Sequence, residues 1–114
     1  MKYAASLVLI LLLFCSMAVA AEADPKAGEQ KAQVCVVCHG PAGQSTNSQF
    51  PKLAGQYADY LVNTLKAYKS GERANPIMKG MVAGLSEQDM RDLAAYFAQQ
   101  DGLVVKKYNI GSKN

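Results

Sequence analysis

The side chains best suited to chemistry stand together between Cys35 and Gly40, in the stretch CVVCHG. Two residues separate the two thiols, and an imidazole follows the second thiol directly. Groups of this kind occur in redox dithiols, in zinc sites, in disulfides and in the covalent attachment of haem. The surrounding sequence has to decide between these kinds of site.

Three of the four alternatives fit the chain poorly. A thioredoxin-like dithiol begins a helix that follows a β-strand, whereas these cysteines end a predicted helix in a chain without strand patterns. A tetrahedral zinc site needs four ligands, and beyond residue 20 the chain offers two cysteines and one histidine. A disulfide remains possible but leaves His39 without a role. C-x-x-C-H attaches c-type haem, so we predict thioether bonds at Cys35 and Cys38 and an iron ligand at His39.

The sixth iron ligand stays open at this point, because His39 is the only histidine. A methionine, a lysine, water or no ligand at all could take that position. Met90 lies on the apolar face of a predicted helix, where core packing is the expected role. Met78 and Met81 lie in a segment rich in proline and glycine, which is predicted to be irregular. The residues alone do not choose between these two thioethers.

The first twenty residues have the pattern of an export signal. Lys2 precedes the apolar run Leu7–Phe14, and small residues follow up to Ala21. We expect cleavage after Ala20 or Ala21 and a periplasmic mature protein without a stable membrane anchor. An uncleaved anchor is the alternative, although the strongly apolar part is shorter than a membrane span requires.

The remaining chain is long enough for one small domain. We expect that domain at residues 21–101 and a C-terminal tail at 102–114. Without Lys2, eleven Lys and Arg residues stand against nine Asp and Glu residues, a net charge of +2. This charge is too weak to indicate nucleic acid, and a monomer is expected. A domain of this size has a small hydrophobic core, so a bound cofactor would add to its stability.

Three main helices are predicted, and no segment alternates like a strand, so the fold class is all-α. The first begins with Asp24 as N-cap and Pro25 at its first position and runs to about residue 38. The second spans about 56–69 and stops at Gly71. The third begins with a capping box at Ser86 and Asp89 and ends by Gly102. Residues 40–49 and 73–84 are predicted to be irregular.

Four blocks of the sequence resemble the class I cytochromes c: CVVCHGPAGQS, FPKLAGQYADYL, KSGERANPIM and LSEQDMRDLAAYFA. The nearest branch is the bacterial one that contains cytochrome c-five and the two-haem cytochrome c-four, and the resemblance covers about residues 27–100. It implies the cytochrome c fold, with three main helices wrapped around one covalently attached haem c. A single haem motif is present, so the two-haem arrangement is not implied.

The resemblance also implies roles for single residues. Met78, seven positions before Leu85, corresponds to the axial methionine, so the iron ligands would be His39 and Met78, with Met81 packing against the pocket wall. We expect Pro76 to hold Met78 in an extended segment rather than in a helical turn. Pro51 corresponds to a proline whose carbonyl accepts a hydrogen bond from the proximal imidazole.

Further positions are implied more generally. Gly28 corresponds to a helix glycine that an aromatic residue of the last helix, Tyr96 or Phe97, crosses closely. The remaining pocket residues implied are Leu53, Tyr57 and Leu61, with Gln56 and Arg73 as candidate partners of the haem propionates.

The function implied is that of a periplasmic carrier of single electrons, cycling haem between Fe(II) and Fe(III), rather than an enzyme. Its redox partners would be a donor such as the cytochrome bc complex and an acceptor such as a terminal oxidase or reductase. Four lysines are candidates for docking these partners: Lys52, Lys66, Lys69 and Lys79. Two alternatives remain, a haem-binding subunit of a larger oxidoreductase and an open-site haem peroxidase or gas-binding protein.

Overall fold

The structure, a computed structural model, describes residues 21–103. Five α-helices lie in this range: α1 (Pro25–Lys31), α2 (Gln33–His39), α3 (Ala58–Ser70), α4 (Pro76–Val82) and α5 (Glu87–Ala98), with a 3-10 turn at Pro41–Gly43 between α2 and α3. No strand occurs between residues 21 and 103, so the prediction of an all-α fold is confirmed. The predicted signal segment and the tail beyond residue 103 lie outside the described residues.

The predicted first helix starts as expected but is divided in two. The Asp24 side chain accepts the N–H of Lys26, and Pro25 occupies the first turn. At the fully buried Ala32 the chain tightens, because the N–H of Cys35 bonds to the Ala32 carbonyl at 2.8 Å. The chain then continues as α2, which runs through His39 to Gly40.

The other two predicted helices lie close to their expected bounds. α3 ends at Gly71, whose φ of 87° is in the left-handed region that glycine adopts without strain. α5 begins with the predicted capping box between Ser86 and Asp89, in which each side chain bonds to the backbone N–H of the other residue. α5 ends at Ala98, a few residues before Gly102.

The prediction that residues 73–84 are irregular is wrong, because α4 occupies most of this segment. The Asn75 side chain accepts the N–H of Met78 at 3.0 Å and caps the helix. Pro76 keeps Asn75 extended, as expected, but it does so as the first residue of a helix, where its missing N–H costs nothing. Met78 therefore lies in a helical turn and not in an extended segment.

The core forms where α1 and α2 pack against α5 and α3. Gly28 is buried at the crossing of α1 and α5, and a Cβ at this position would overlap the backbone carbonyl of Asp92 and lie 2.9 Å from Tyr96 Cβ. Tyr96, rather than Phe97, is thus the aromatic residue beside Gly28. The central cluster consists of Ala32, Leu61, Leu93, Ala94 and Phe97.

The buried carboxylate of Asp92 links α5 to α1 by hydrogen bonds. Asp92 is only 3% exposed and accepts hydrogen bonds from the Asp24 N–H at 2.9 Å and from Lys31 Nζ at 2.7 Å. Gln88 Nε2 also donates to Asp92, at 2.8 Å, and bonds to the carbonyl of Glu22 at 3.0 Å. The Asp24 N–H, followed by Lys31, lowers the pKa of Asp92 to about 2. The beginning of the domain is thereby held on α5.

Within residues 21–103, none of the helices combines the length and the apolar character needed to cross a bilayer.

Replacing Gly28 by Ala should destabilise the protein by about 1–3 kcal/mol, because the added methyl group pushes α1 away from the backbone of α5. The control is Gly80→Ala in α4, where a Cβ would have no neighbour within 4 Å. That variant should gain up to about 1 kcal/mol from helix propensity. Denaturant unfolding of the purified proteins measures both effects. Equal stability of the two variants would disprove the close crossing.

Replacing Asp92 by Asn should lower the free energy of unfolding by about 2 kcal/mol at neutral pH, because hydrogen bonds to a charged group are lost. The carboxyl has a lower pKa in the folded than in the unfolded protein, so its stabilisation is present above about pH 4 and is lost as the pH falls towards 2. The difference between wild type and variant should therefore shrink over that interval. The exposed Asp101→Asn serves as the control, and a difference independent of pH would contradict the prediction.

Candidate functional site

Helix α2 carries the three residues of the motif. Cys35, Cys38 and His39 stand at positions i, i+3 and i+4, which share one face of a helix. The structure holds both cysteines as free thiols, Cys35 half-buried and Cys38 exposed. Burial, followed by the neighbouring Cys38, raises the pKa of the Cys35 thiol. The local geometry thus presents two thiols and an imidazole together, available for bonding.

One ring nitrogen of His39 is fixed by a carbonyl group. The ring is 7% exposed, and Nδ1 lies 2.8 Å from the carbonyl oxygen of Pro51, the partner that the resemblance implied. A carbonyl only accepts, so Nδ1 donates this hydrogen bond and Nε2 is the nitrogen left to bind a metal. A histidine whose other ring nitrogen is fixed in this way is typical of a metal ligand.

Phe50 also contacts this imidazole, which the sequence analysis missed. The two ring centroids lie 6.2 Å apart with an interplanar angle of 67°, an edge-to-face arrangement. The sequence contained one signal for it, an aromatic residue directly before Pro51. His39 is therefore approached by two consecutive residues of one loop.

The remaining pocket candidates are only partly brought together. Leu61 belongs to the central cluster, and Cys35 and Leu53 pack against it, so these three residues share one apolar region. Tyr57 is 51% exposed at the start of α3, and its N–H bonds to Gln56 Oε1. The Tyr57 carbonyl accepts the N–H of Leu61 at 3.0 Å, so Tyr57 is joined to the central cluster through its backbone.

Arg73, a candidate partner of the haem propionates, contacts two tyrosines of α3. Its guanidinium lies over the ring of Tyr68, with 5.1 Å between Cζ and the ring centroid. It also lies beside the Tyr60 hydroxyl, whose pKa it lowers. Arg73 is therefore engaged by the tyrosines of α3.

The three methionines within residues 21–103 have different surroundings. Met90 is 2% exposed inside α5, in agreement with its expected packing role. Met78 is half-buried in the first turn of α4, and Met81 in the next turn is 45% exposed. The fold therefore sets Met90 apart as core and leaves both α4 thioethers in the segment where a sixth ligand was expected.

The lysines expected to dock partners divide into two pairs. Lys66 Nζ lies 3.0 Å from Glu87 Oε1, and Lys69 Nζ donates to the carbonyl of Leu85. Both bonds connect α3 to the beginning of α5. Lys52 and Lys79 are exposed, and no ion pair involves them within residues 21–103.

Comparison with known proteins decides the family. The family model for cytochrome c matches residues 25–101, which includes every described helix. The chain belongs to the cytochrome c family. The resemblance to class I c-type cytochromes and the cytochrome c fold are therefore confirmed, and the prosthetic group is a covalently attached haem c. The two free thiols and the open Nε2 of His39 suit that group.

Individual cytochromes resemble the chain over most of the domain. Cytochrome c4 of Pseudomonas aeruginosa is 48% identical over 80 residues, which cover 70% of this chain and 40% of that protein. Cytochrome c-554(548) of Halomonas halodenitrificans is 43% identical over 81 residues, 68% of this chain and 98% of that protein. The chain thus spans about 40% of the length of this cytochrome c4 but nearly the whole length of cytochrome c-554(548).

A solved structure shows the same likeness within a larger protein. Thiosulfate dehydrogenase (TsdBA) from Marichromatium purpuratum superposes with a TM-score of 0.66 at 34% identity. The match covers 72% of this cytochrome and 20% of that chain.

Replacing Met78 by Ala should abolish the near-red absorption band of a methionine–iron bond in the ferric cytochrome and lower its reduction potential, because a thioether ligand favours Fe(II). The matched control, Met81→Leu, removes a sulfur one turn further along α4 and should preserve both properties. Absorption spectroscopy and potentiometric titration measure them. The reverse pattern would identify Met81 as the ligand.

Proposed function

We propose that this cytochrome is a periplasmic electron carrier that passes single electrons between redox proteins and catalyses no reaction of its own. The observation that carries the proposal is that His39 is buried and that its Nδ1 lies 2.8 Å from the carbonyl oxygen of Pro51. This arrangement leaves Nε2 as the one nitrogen that can bind iron. The export pattern of residues 1–20 supports the periplasmic location.

The residues of the chain have separate tasks in this function. The bound haem supplies an iron that accepts and releases one electron. Cys35 and Cys38 fix the porphyrin to α2 through thioether bonds, and His39 Nε2 holds the iron. Pro51 accepts the Nδ1 proton and so makes the imidazole a stronger donor to the metal. This hydrogen bond would keep the imidazole in place when the iron gains or loses an electron.

Met78 would complete the proposed site as the second protein ligand of the iron. Thioether ligation raises the potential relative to histidine ligation. With both His39 and Met78 bound, the iron would have no free position for oxygen or peroxide. This arrangement favours a carrier over an open-site peroxidase or gas-binding protein.

The proposed partners are other redox proteins, with a cytochrome bc complex as donor and a terminal oxidase or reductase as acceptor. Lys52 and Lys79 are the lysines whose charges remain available for docking them, since Lys66 and Lys69 bind within the domain. Charges at the rim of such a contact act mainly on the association rate and its dependence on salt.

A haem-bearing part of a larger oxidoreductase is the second candidate. It is favoured by the match to 20% of the thiosulfate dehydrogenase chain from Marichromatium purpuratum. In that case the cytochrome would take electrons from a dehydrogenase of this kind. Co-purification of the native protein in a stable complex would support this candidate over a free carrier.

Covalent attachment is tested by acid–acetone extraction of the haem-loaded protein. The colour should stay with the polypeptide, because thioether bonds survive conditions that break the iron–ligand bonds. Cys35→Ser/Cys38→Ser is the matched variant, and any haem that it binds should be extracted. Release of free haem from the wild type would contradict the proposed site.

The carrier function is tested by reversible potentiometric titration and by reaction with small molecules. One electron per protein, a near-red methionine band and no turnover of peroxide are expected. Met78→Ala is the control, since opening the sixth position should allow carbon monoxide to bind the ferrous protein. Rapid binding of carbon monoxide or turnover of peroxide by the wild type would instead identify an open-site protein.

A further inference from the structure

The loop from Gly43 to Ala54 is closed at its base by one carbonyl group. Gly43 O accepts the N–H of Leu53 at 2.9 Å and that of Ala54 at 3.2 Å. The same base is packed against α5, because a Cβ on Gly43 would lie 2.8 Å from Phe97 Cδ1 and 3.0 Å from Leu53 Cβ. The loop is therefore anchored to the core at both ends.

A second set of hydrogen bonds fixes the interior of this loop. Ser45 is 5% exposed, and its hydroxyl donates to the Asn47 carbonyl at 3.0 Å and accepts the Asn47 N–H at 3.2 Å. The Asn47 carbonyl also accepts the N–H of Phe50 at 3.1 Å, and Asn47 Oδ1 accepts that of Gln49 at 2.9 Å. A continuous set of bonds thus runs from Ser45 to Phe50.

Phe50 and Pro51 constrain His39 in different ways. The carbonyl of Pro51 fixes the position of one ring atom, but a single hydrogen bond still allows the imidazole plane to turn about the N–O direction. The ring of Phe50, at 67° to the imidazole, limits that turning by contact with a second part of the ring. The two contacts together determine where Nε2 points and how the ring plane is oriented.

Core packing does not account for Phe50. It is only half-buried, and it belongs neither to the central cluster nor to the partly buried side chains packed against it. Its described aromatic contact is with His39. A half-buried ring next to the proposed iron ligand, on a loop with this many internal bonds, therefore suggests a task other than stability.

We propose that Phe50 is a positioning residue that sets the plane of the His39 imidazole, and that Ser45 holds the loop in the conformation this requires. The proposal rests on the proposed role of His39 as iron ligand. The orientation of an axial imidazole determines how unpaired spin spreads over the ferric porphyrin. The strength of the Nδ1–H bond to Pro51 determines how strongly the ring donates to iron.

The experiment compares haem-loaded Phe50→Leu and Phe50→Tyr with the wild type. Proton NMR of the ferric protein should show the haem-methyl shifts redistributed in Phe50→Leu, which keeps an apolar side chain but loses the aromatic edge. Phe50→Tyr keeps the ring and should retain the wild-type pattern. Ser45→Ala should redistribute the same shifts and move the potential to more positive values, because a loosened loop weakens the bond between His39 and Pro51.

Ser86→Ala serves as the control for stability, since it removes the capping box at the start of α5 without touching His39. Its methyl shifts should match those of the wild type. Unchanged methyl shifts in Phe50→Leu, or changes in Ser86→Ala of the same size, would overturn the proposal. If Phe50→Leu does not fold, Ser45→Ala decides by the same measurement. A wild-type protein that lacks covalent haem would refute the proposed function instead.

Discussion

The contact between α1 and α5 at Gly28 is the constraint on which the rest of the molecule depends. Because Gly28 has no side chain, the backbones of the two helices meet there, and Asp92 closes the same contact with buried hydrogen bonds to Asp24 and Lys31. α2 follows α1 after one tight turn at Ala32, so fixing α1 also fixes the direction of α2. The position of the thiols and of His39 is thus set by a contact that involves none of them.

The site itself combines a helix with a closed loop. α2 supplies Cys35, Cys38 and His39 with the fixed spacing of a helical face. The loop supplies the Phe50 ring and the Pro51 carbonyl. A carbonyl inside a helix could not take this role, because it is already bonded along the helix axis. Dividing the task in this way lets His39 and its hydrogen-bond acceptor, Pro51, come from separate segments that are each held independently.

Several charged side chains form bonds within the domain and so contribute to its stability. Lys31 and Lys66 bind carboxylates of α5, Lys69 binds the carbonyl of Leu85, and Asp92 is buried among donors. Only part of the basic charge is therefore available for redox partners. For the proposed carrier, the charges that remain free would act mainly on the rate of association with its partners.

The sequence by itself determined the features that depend on neighbouring residues. These are the haem motif, the helix starts at Asp24 and Ser86 and the stop at Gly71, all of which follow from groups a few residues apart. The start of α4 at Asn75 and Pro76 is a local signal of the same kind, which the glycines of that segment concealed. Only the tertiary structure decided the rest: Arg73 turns to Tyr68, and Phe50 reaches His39. Each of these outcomes depends on competing partners or on side chains brought together by folding, and local spacing carries no information about which partner lies closest.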